Sequence, residues 1–188
     1  MLDDIVSAYI RQFPDERKGL APLIEQIVQG QKLNDRKNFE GHVTGSAIVL
    51  SPDRMQVLVI YHKLFGRWQQ PGGHWEIAQE ADPLATARRE VVEETSVVLS
   101  EYVPLEATNP ILPVDIDVGA VPEQPRKSEP QHVHYDFRYV FIAQDEHVEQ
   151  KPDEPNITNI GWFDFDAPEA GEIMRTIQKL RELQLIPS

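Results

Sequence analysis

The chain has no cysteine. Disulfide staples, thiolate metal sites and a thiol nucleophile are therefore excluded, and any bound metal must be held through oxygen or imidazole. Positive charge is scarce: 18 Lys and Arg face 31 Asp and Glu in 188 residues, a net charge of −13 and an isoelectric point near 4.8. That balance argues against a sequence-independent grip on DNA or RNA phosphates. Long apolar runs are missing too. The stretch from Val57 to Tyr61 is typical of the longest, far short of the roughly 20 residues that span a bilayer, so no membrane partner is expected. The N-terminus, Met1-Leu2-Asp3-Asp4, lacks the basic start and apolar centre of a secretory signal. The expected compartment is the cytoplasm.

What is present is enough apolar sequence for one well-buried core, 40% of the chain. The first forty residues read as two helices, over 2–13 and 18–29, broken by Pro14-Asp15 and ended by Gly30. They hold 6 basic and 7 acidic residues, so nearly all the net charge falls on the remainder. We expect residues 1–40 to be a helical extension and residues 41–188 to be the main domain. From Gly41 the texture turns to strand, over 43–50 and 55–62, joined as a hairpin by Ser51-Pro52-Asp53-Arg54. Pro71-Gly72-Gly73 then leads to a helix over 83–95, with Asp82 as N-cap and Pro83 at the first helical position. Strands are expected over 97–103, 112–118, 132–143 and 157–163, and a final helix over 167–183. The strand over 132–143 alternates strongly. Val133, Tyr135, Phe137, Tyr139 and Phe141 share one face, and His132, His134, Asp136 and Arg138 share the other.

The helix over 83–95 carries the chemistry. At about 100° per residue, Leu84, Ala87, Val91 and Thr95 share one face, while Glu90, Glu93 and Glu94 converge on the opposite one. Like charges three and four apart repel by a few tenths of a kcal/mol per pair and need compensation. Oxygen ligands in this number suit Mg²⁺ or Mn²⁺, commonly held together with substrate phosphates. An acidic helix face pointing into water is the plainer alternative. The Gly-Gly turn, the helix cap and Arg89 beside the carboxylates favour the metal.

With that context, Arg89-Glu90-Val91-Val92-Glu93-Glu94-Thr95-Ser96-Val97 resembles the box of the Nudix hydrolases. That box runs Gly, five residues, Glu, seven residues, then Arg-Glu-aliphatic-x-Glu-Glu-x-Gly-aliphatic. In its second half only Ser96 departs, standing where the family has Gly. In the first half each gap is one residue longer: six residues separate Gly73 from Glu80, and eight separate Glu80 from Arg89. The resemblance implies an α/β fold, a Nudix-type α/β/α sandwich with a mixed sheet, here with an N-terminal helical extension. It implies Glu90, Glu93 and Glu94 as ligands of Mg²⁺, with Mn²⁺ as the alternative, and the Gly73 carbonyl near the metal. Arg89 would orient a carboxylate through a bidentate ion pair, and Glu80, or else Glu76, would be the counterpart of the box's first Glu. The catalytic base would be a box glutamate, Glu93 or Glu94, or a glutamate on the acidic loop before the last strand, Glu154 first and Glu149 second.

Candidate substrate contacts are His134 and Arg138 on the polar strand face and Lys63 and Arg67 before the Gly-Gly turn. For Arg138 an ion pair with Asp136 is equally compatible. Metal ligation by His132, His134 and Asp136 is disfavoured because no further ligand with helpful spacing is evident. Trp68 and Trp75 could stack on a base, although packing is the commoner role of such residues, and Trp162 reads as core. The resulting expectation is Mg²⁺-dependent hydrolysis of a pyrophosphate linkage in a nucleoside diphosphate joined to another moiety. The partner would be a small phosphorylated, nucleotide-derived substrate. The alternative is a non-hydrolytic nucleotide-sensing or protein-interaction module on the same fold. An isoprenoid diphosphate isomerase is disfavoured by the absence of cysteine. A homodimer through the N-terminal helices is compatible with the sequence.

Overall fold

A computed structural model describes residues 2–76, 80–125, 128–149 and 155–187. In chain order the elements are α1 (Leu2–Gln12), a 3₁₀ turn (Pro14–Lys18), α2 (Ala21–Val28), β1 (His42–Leu50), β2 (Gln56–His62), β3 (Arg67–Gln69), β4 (Gly72–His74), α3 (Pro83–Glu94), β5 (Leu99–Val103), β6 (Asp115–Val121), β7 (His132–Ala143), β8 (Ile157–Asp164) and a 3₁₀ segment (Pro168–Ile173) that runs into α4 (Met174–Glu182). The expected helices and long strands are all there, with shifted ends. The strand expected over 112–118 lies three residues later. Leu112 and Val114 are buried on the approach to it, whereas the ladder with β7 runs from Asp115 opposite Arg138 to Val121 opposite His132. Burial was legible in the apolar residues, but pairing was not.

The strands form one mixed sheet ordered β3-β2-β1-β7-β5, with β4 paired to β1, β6 to β7 and β8 to β2. β1 runs parallel to β7 over its whole length, from His42 opposite His134 to Leu50 opposite Ile142. The remaining ladders are antiparallel. Because side chains alternate along a strand, β1 and β7 present two faces in step. Ala47, Val49, Tyr135, Phe137, Tyr139 and Phe141 meet α1, α2 and α3 through Ile5, Val6, Leu23, Ala87 and Val91. On the other face Ile48, Leu50 and Val140 pack against Ile173, Ile177 and Leu180 of the C-terminal helical segment. The architecture is thus helices on both sides of a mixed sheet. That second face is apolar only in its later half. Its first half, His42, Thr44, Ser46, His132, His134, Asp136 and Arg138, is polar, and a cavity opens there.

The N-terminal helices share the core with the sheet and are also tied in by charge. Asp115 is fully buried and meets Arg138, Arg175, Lys179, Thr176 and the Tyr9 hydroxyl. Lys179 of α4 donates to Tyr9 Oη at 2.6 Å, pairs with Glu16, and lies 3.5 Å from the centre of the Phe13 ring. One network therefore joins α1, the turn after it, β6, β7 and α4.

Candidate active site

Three elements bring the box together. Asp82 caps α3 by accepting from the Ala85 N–H at 2.9 Å, and the helix crosses β1 at Gly45. A Cβ there would strike the Pro83 carbonyl oxygen and the Thr86 side chain. This close approach sets α3 beside β4. A Cβ at Gly73 would in turn overlap the Glu90 carboxylate, so the glycine is what lets that carboxylate lie against the backbone of β4. Glu94 is buried and accepts from the Gly72 N–H at 2.9 Å.

The carboxylates are consequently less exposed than the helical wheel suggests. Only Glu93 points away from the core, with its side chain 49% exposed, against 12% for Glu90. Glu90 and Glu94 line a cavity of about 460 Å³ with Gly72, Gly73, His74, His134, Asp136 and Arg67, a size suited to a small-molecule ligand. Glu93 is not among the described residues lining the cavity and is paired with Arg89.

Arg89 sits among three carboxylates. Its Nε donates to Glu80 Oε1 at 2.6 Å, its Nη1 lies 2.9 Å from Glu90 Oε1 and also meets Glu93, and its Nη2 donates to the His74 carbonyl at 2.9 Å. Glu80 also accepts from Thr86 Oγ1 and from the Glu76 N–H. Of the two candidates for the box's first glutamate, Glu80 is the one that pairs with Arg89, in spite of the longer gaps on either side. Ser96 is accommodated without a left-handed turn. The helix ends at Thr95 in extended backbone, the Thr95 hydroxyl donates to the Val91 carbonyl, and Ser96 is not among the described residues with positive φ. A glycine is unnecessary at this end.

Burial pushes Glu90 up to about 7; Arg89 opposes this, and Glu93 and Glu80 add to it. A carboxyl raised in the folded state keeps a proton that the unfolded chain has released. Stability therefore falls as pH rises from about 4.5 to about 7, and the loss is complete above that window. Glu90→Gln, which mimics the protonated group, is expected to stabilise the metal-free protein at pH 8 by on the order of 1–3 kcal/mol and to leave it unchanged near pH 4.5. Denaturant unfolding in chelator at the two pH values checks this.

The polar strand face behaves differently from its appearance in sequence. Arg138 is 5% exposed, and its guanidinium is engaged by Asp136 at 3.0 Å, Asp117 at 3.0 Å and Thr176 at 2.8 Å. Asp136 in turn accepts from Thr44, Ser46 and Gln70. Arg67 lines the cavity and pairs with Glu172 at 3.0 Å. Lys63 is exposed and is not among the described residues of the cavity wall. Glu154 lies outside the described residues. Glu149 is on the surface, its N–H donating to Ser96 Oγ. Each tryptophan packs: Trp68 against Tyr61 and Phe163, Trp75 buried with its N–H on the Glu80 carbonyl, and Trp162 with its N–H on the Glu146 carbonyl. The residues that sequence reading missed are His42, Thr44, Ser46, Gln70 and His74. The first three were legible as polar residues at every second position of β1.

A family model described as the NUDIX domain matches residues 41–182. A Lactococcus lactis subsp. cremoris protein described as a probable DHNTP pyrophosphohydrolase is 24% identical over 185 residues, 97% of this chain and 100% of that protein. Among solved structures, a NUDIX-family hydrolase from Clostridium perfringens superposes with a TM-score of 0.53 at 17% identity, covering 77% of this chain and 97% of that one. The NUDIX domain of Shewanella oneidensis NrtR, solved with ADP ribose, gives a TM-score of 0.55 at 17% identity, covering 79% and 92%. These two show the shared fold. No helix among the described residues is long and apolar enough to cross a membrane.

Proposed function

The chain belongs to the Nudix family and is a hydrolase of that family, and on that premise we propose that it cleaves, with Mg²⁺, a pyrophosphate linkage in a nucleoside diphosphate joined to another moiety. One observation carries the reading: Glu90 and Glu94 converge with Gly72 and Gly73 on one wall of the cavity. The donor set fits a hard dication. It is all oxygen, the glycine leaves room that a side chain would fill, and Glu90 is a largely buried carboxyl raised by burial first and further by its neighbour Glu93. Glu90, Glu93, Glu94 and the Gly73 carbonyl would hold Mg²⁺, with Mn²⁺ as a substitute. Such an ion neutralises charge on the phosphate oxygens during attack.

The chain's own groups do the rest. Arg89 fixes Glu90 and Glu93 at one end while Glu80 fixes Arg89 at the other. A water attacks phosphorus, a carboxylate takes its proton, and the bridging P–O bond breaks with its electrons going to the departing phosphate. Glu94 is our candidate for the base among the described residues, and Glu93 and Glu154 are the alternatives. Arg67 is the best placed direct substrate contact; His134 and Arg138 share the cavity wall but already meet other side chains, His134 Nε2 on His132 and Arg138 on Asp136, Asp117 and Thr176, and Lys63 is not among the described residues of that wall. Residues 1–40 act as a helical extension of a hydrolase domain formed by 41–188, a division supported by the family match beginning at residue 41.

The test is turnover of a panel with Mg²⁺ and with chelator, read by product mass. The panel holds ADP-ribose, other nucleoside diphosphates joined to sugars, nucleoside triphosphates and DHNTP, the compound named for the Lactococcus relative. Metal-dependent release of a nucleoside monophosphate from a diphosphate-linked compound supports the proposal. Turnover confined to triphosphates overturns the substrate class.

A further inference from the structure

Four of the six histidines gather at one corner of the cavity. His42, His74 and His134 come from three adjacent strands: His42 is the register partner of His134 across β1 and β7, and His74 pairs with Thr44 across β4 and β1. Ring centroids are 5.1 Å apart for His42 and His74, 4.7 Å for His42 and His134, and 5.2 Å for His74 and His134. One ring nitrogen from each lies within 4.8 Å of the other two. His132 stacks on His42 at 5.0 Å.

Hydrogen bonds decide which nitrogens are bare. His42 Nδ1 is 3.1 Å from the Asn38 carbonyl oxygen, which can only accept, so the proton is on Nδ1 and Nε2 carries a lone pair. That Nε2 is buried without a hydrogen-bond partner, in a residue 1% exposed. Buried polar atoms in folded proteins are nearly always satisfied. His132 Nδ1 likewise donates to the Pro130 carbonyl at 2.8 Å, leaving its Nε2 to accept from His134 Nε2 at 3.2 Å. His134 then has one bare nitrogen to offer. A ring nitrogen that carries a lone pair can bind a metal with no proton to displace.

From this geometry we propose that His42, His74 and His134 form a second metal site, for a first-row transition dication such as Zn²⁺. Imidazole nitrogens suit such ions, whereas the oxygen set on α3 suits Mg²⁺. Tetrahedral coordination at about 2.0–2.1 Å would draw the three nitrogens to roughly 3.3 Å apart. The carbonyl behind His42 is an orienting partner of the kind metal-bound histidines ordinarily have, and the His132 ring takes that place behind His134. His74 and His134 share the cavity wall with Glu90 and Glu94. The fourth position of the ion therefore opens to the cavity and is suited to water or an anionic oxygen.

The experiment uses the full chain without affinity-tag histidines, stripped with chelator and titrated with Co²⁺ in excess Mg²⁺, with binding read from the visible absorption of nitrogen-coordinated Co²⁺. We expect one equivalent, displaced by Zn²⁺. It should persist in Glu94→Gln, be lost in His74→Asn and His134→Asn, and be weakened about 10–100-fold in His132→Asn. Circular dichroism of the metal-free variants checks that they fold. His74→Asn, at a partly exposed position, keeps the test open if His134→Asn does not fold. Absence of a bound equivalent in the wild-type chain overturns the proposal. So does a signal that Glu94→Gln abolishes and His74→Asn retains.

Discussion

Glu94→Gln is expected to lower metal-dependent turnover on the order of 10³-fold while leaving the fold in place. The side chain is buried, and one oxygen already accepts from the Gly72 N–H. In the variant the amide oxygen must keep that role, because an NH₂ group facing an N–H donor would leave both unsatisfied. The amide nitrogen is then forced toward the proposed metal position, replacing a negative ligand with a donor. Glu93→Gln is the contrast: its carboxylate is half exposed and paired with Arg89, so a loss nearer tenfold is expected. Steady-state rates at saturating Mg²⁺, with unfolding curves for both variants, check the pair. Equal effects at the two positions would show that Glu94 has no special role in the chemistry.

Local signals in the chain were strong and non-local ones were weak, and the site depends on both. Asp82-Pro83 marked the start of α3 because a cap and a fixed φ act within one turn. The Arg89-to-Glu94 spacing marked the carboxylates for the same reason. The faces of β7 followed from alternation. What alternation cannot tell is which strand lies alongside. His42 and His134 are ninety-two positions apart and become neighbours only because β1 and β7 run parallel in a particular register. Arg138 shows the complementary difficulty. Its type and face suit a phosphate, yet Asp117 from β6 and Thr176 from α4 converge on it, and neither is near it in sequence. The departure at Ser96 would carry a cost only if α3 ended in a left-handed residue. The Thr95 hydroxyl on the Val91 carbonyl ends it another way.

The same non-local charge network sets the largest expected loss of stability, at Asp115 and not at the box. Asp115→Asn is expected to destabilise the protein by about 3–5 kcal/mol, lowering the melting temperature on the order of 10 °C for a chain of this size. The carboxylate is fully buried, and although burial alone would raise its pKa, Arg175, Arg138 and Lys179 hold it below the ordinary value. A lowered carboxyl pKa contributes stability that is present above the unfolded value and lost as pH falls through the folded one. Removing the charge leaves Arg138 and Lys179, themselves largely buried, short of a counterion. Asp117→Asn serves as the control. Its side chain is 35% exposed, so water screens the loss and a change below about 1 kcal/mol is expected. Because Tyr9, Glu16 and Lys179 belong to the same network, the Asp115 variant should also loosen α1. Hydrogen exchange would show this as faster exchange in residues 2–12 than in β2. If α1 keeps its protection while the melting temperature falls, the apolar contacts of Ile5, Val6 and Tyr9 with the sheet, and not the buried charges, are what hold the N-terminal helices in place.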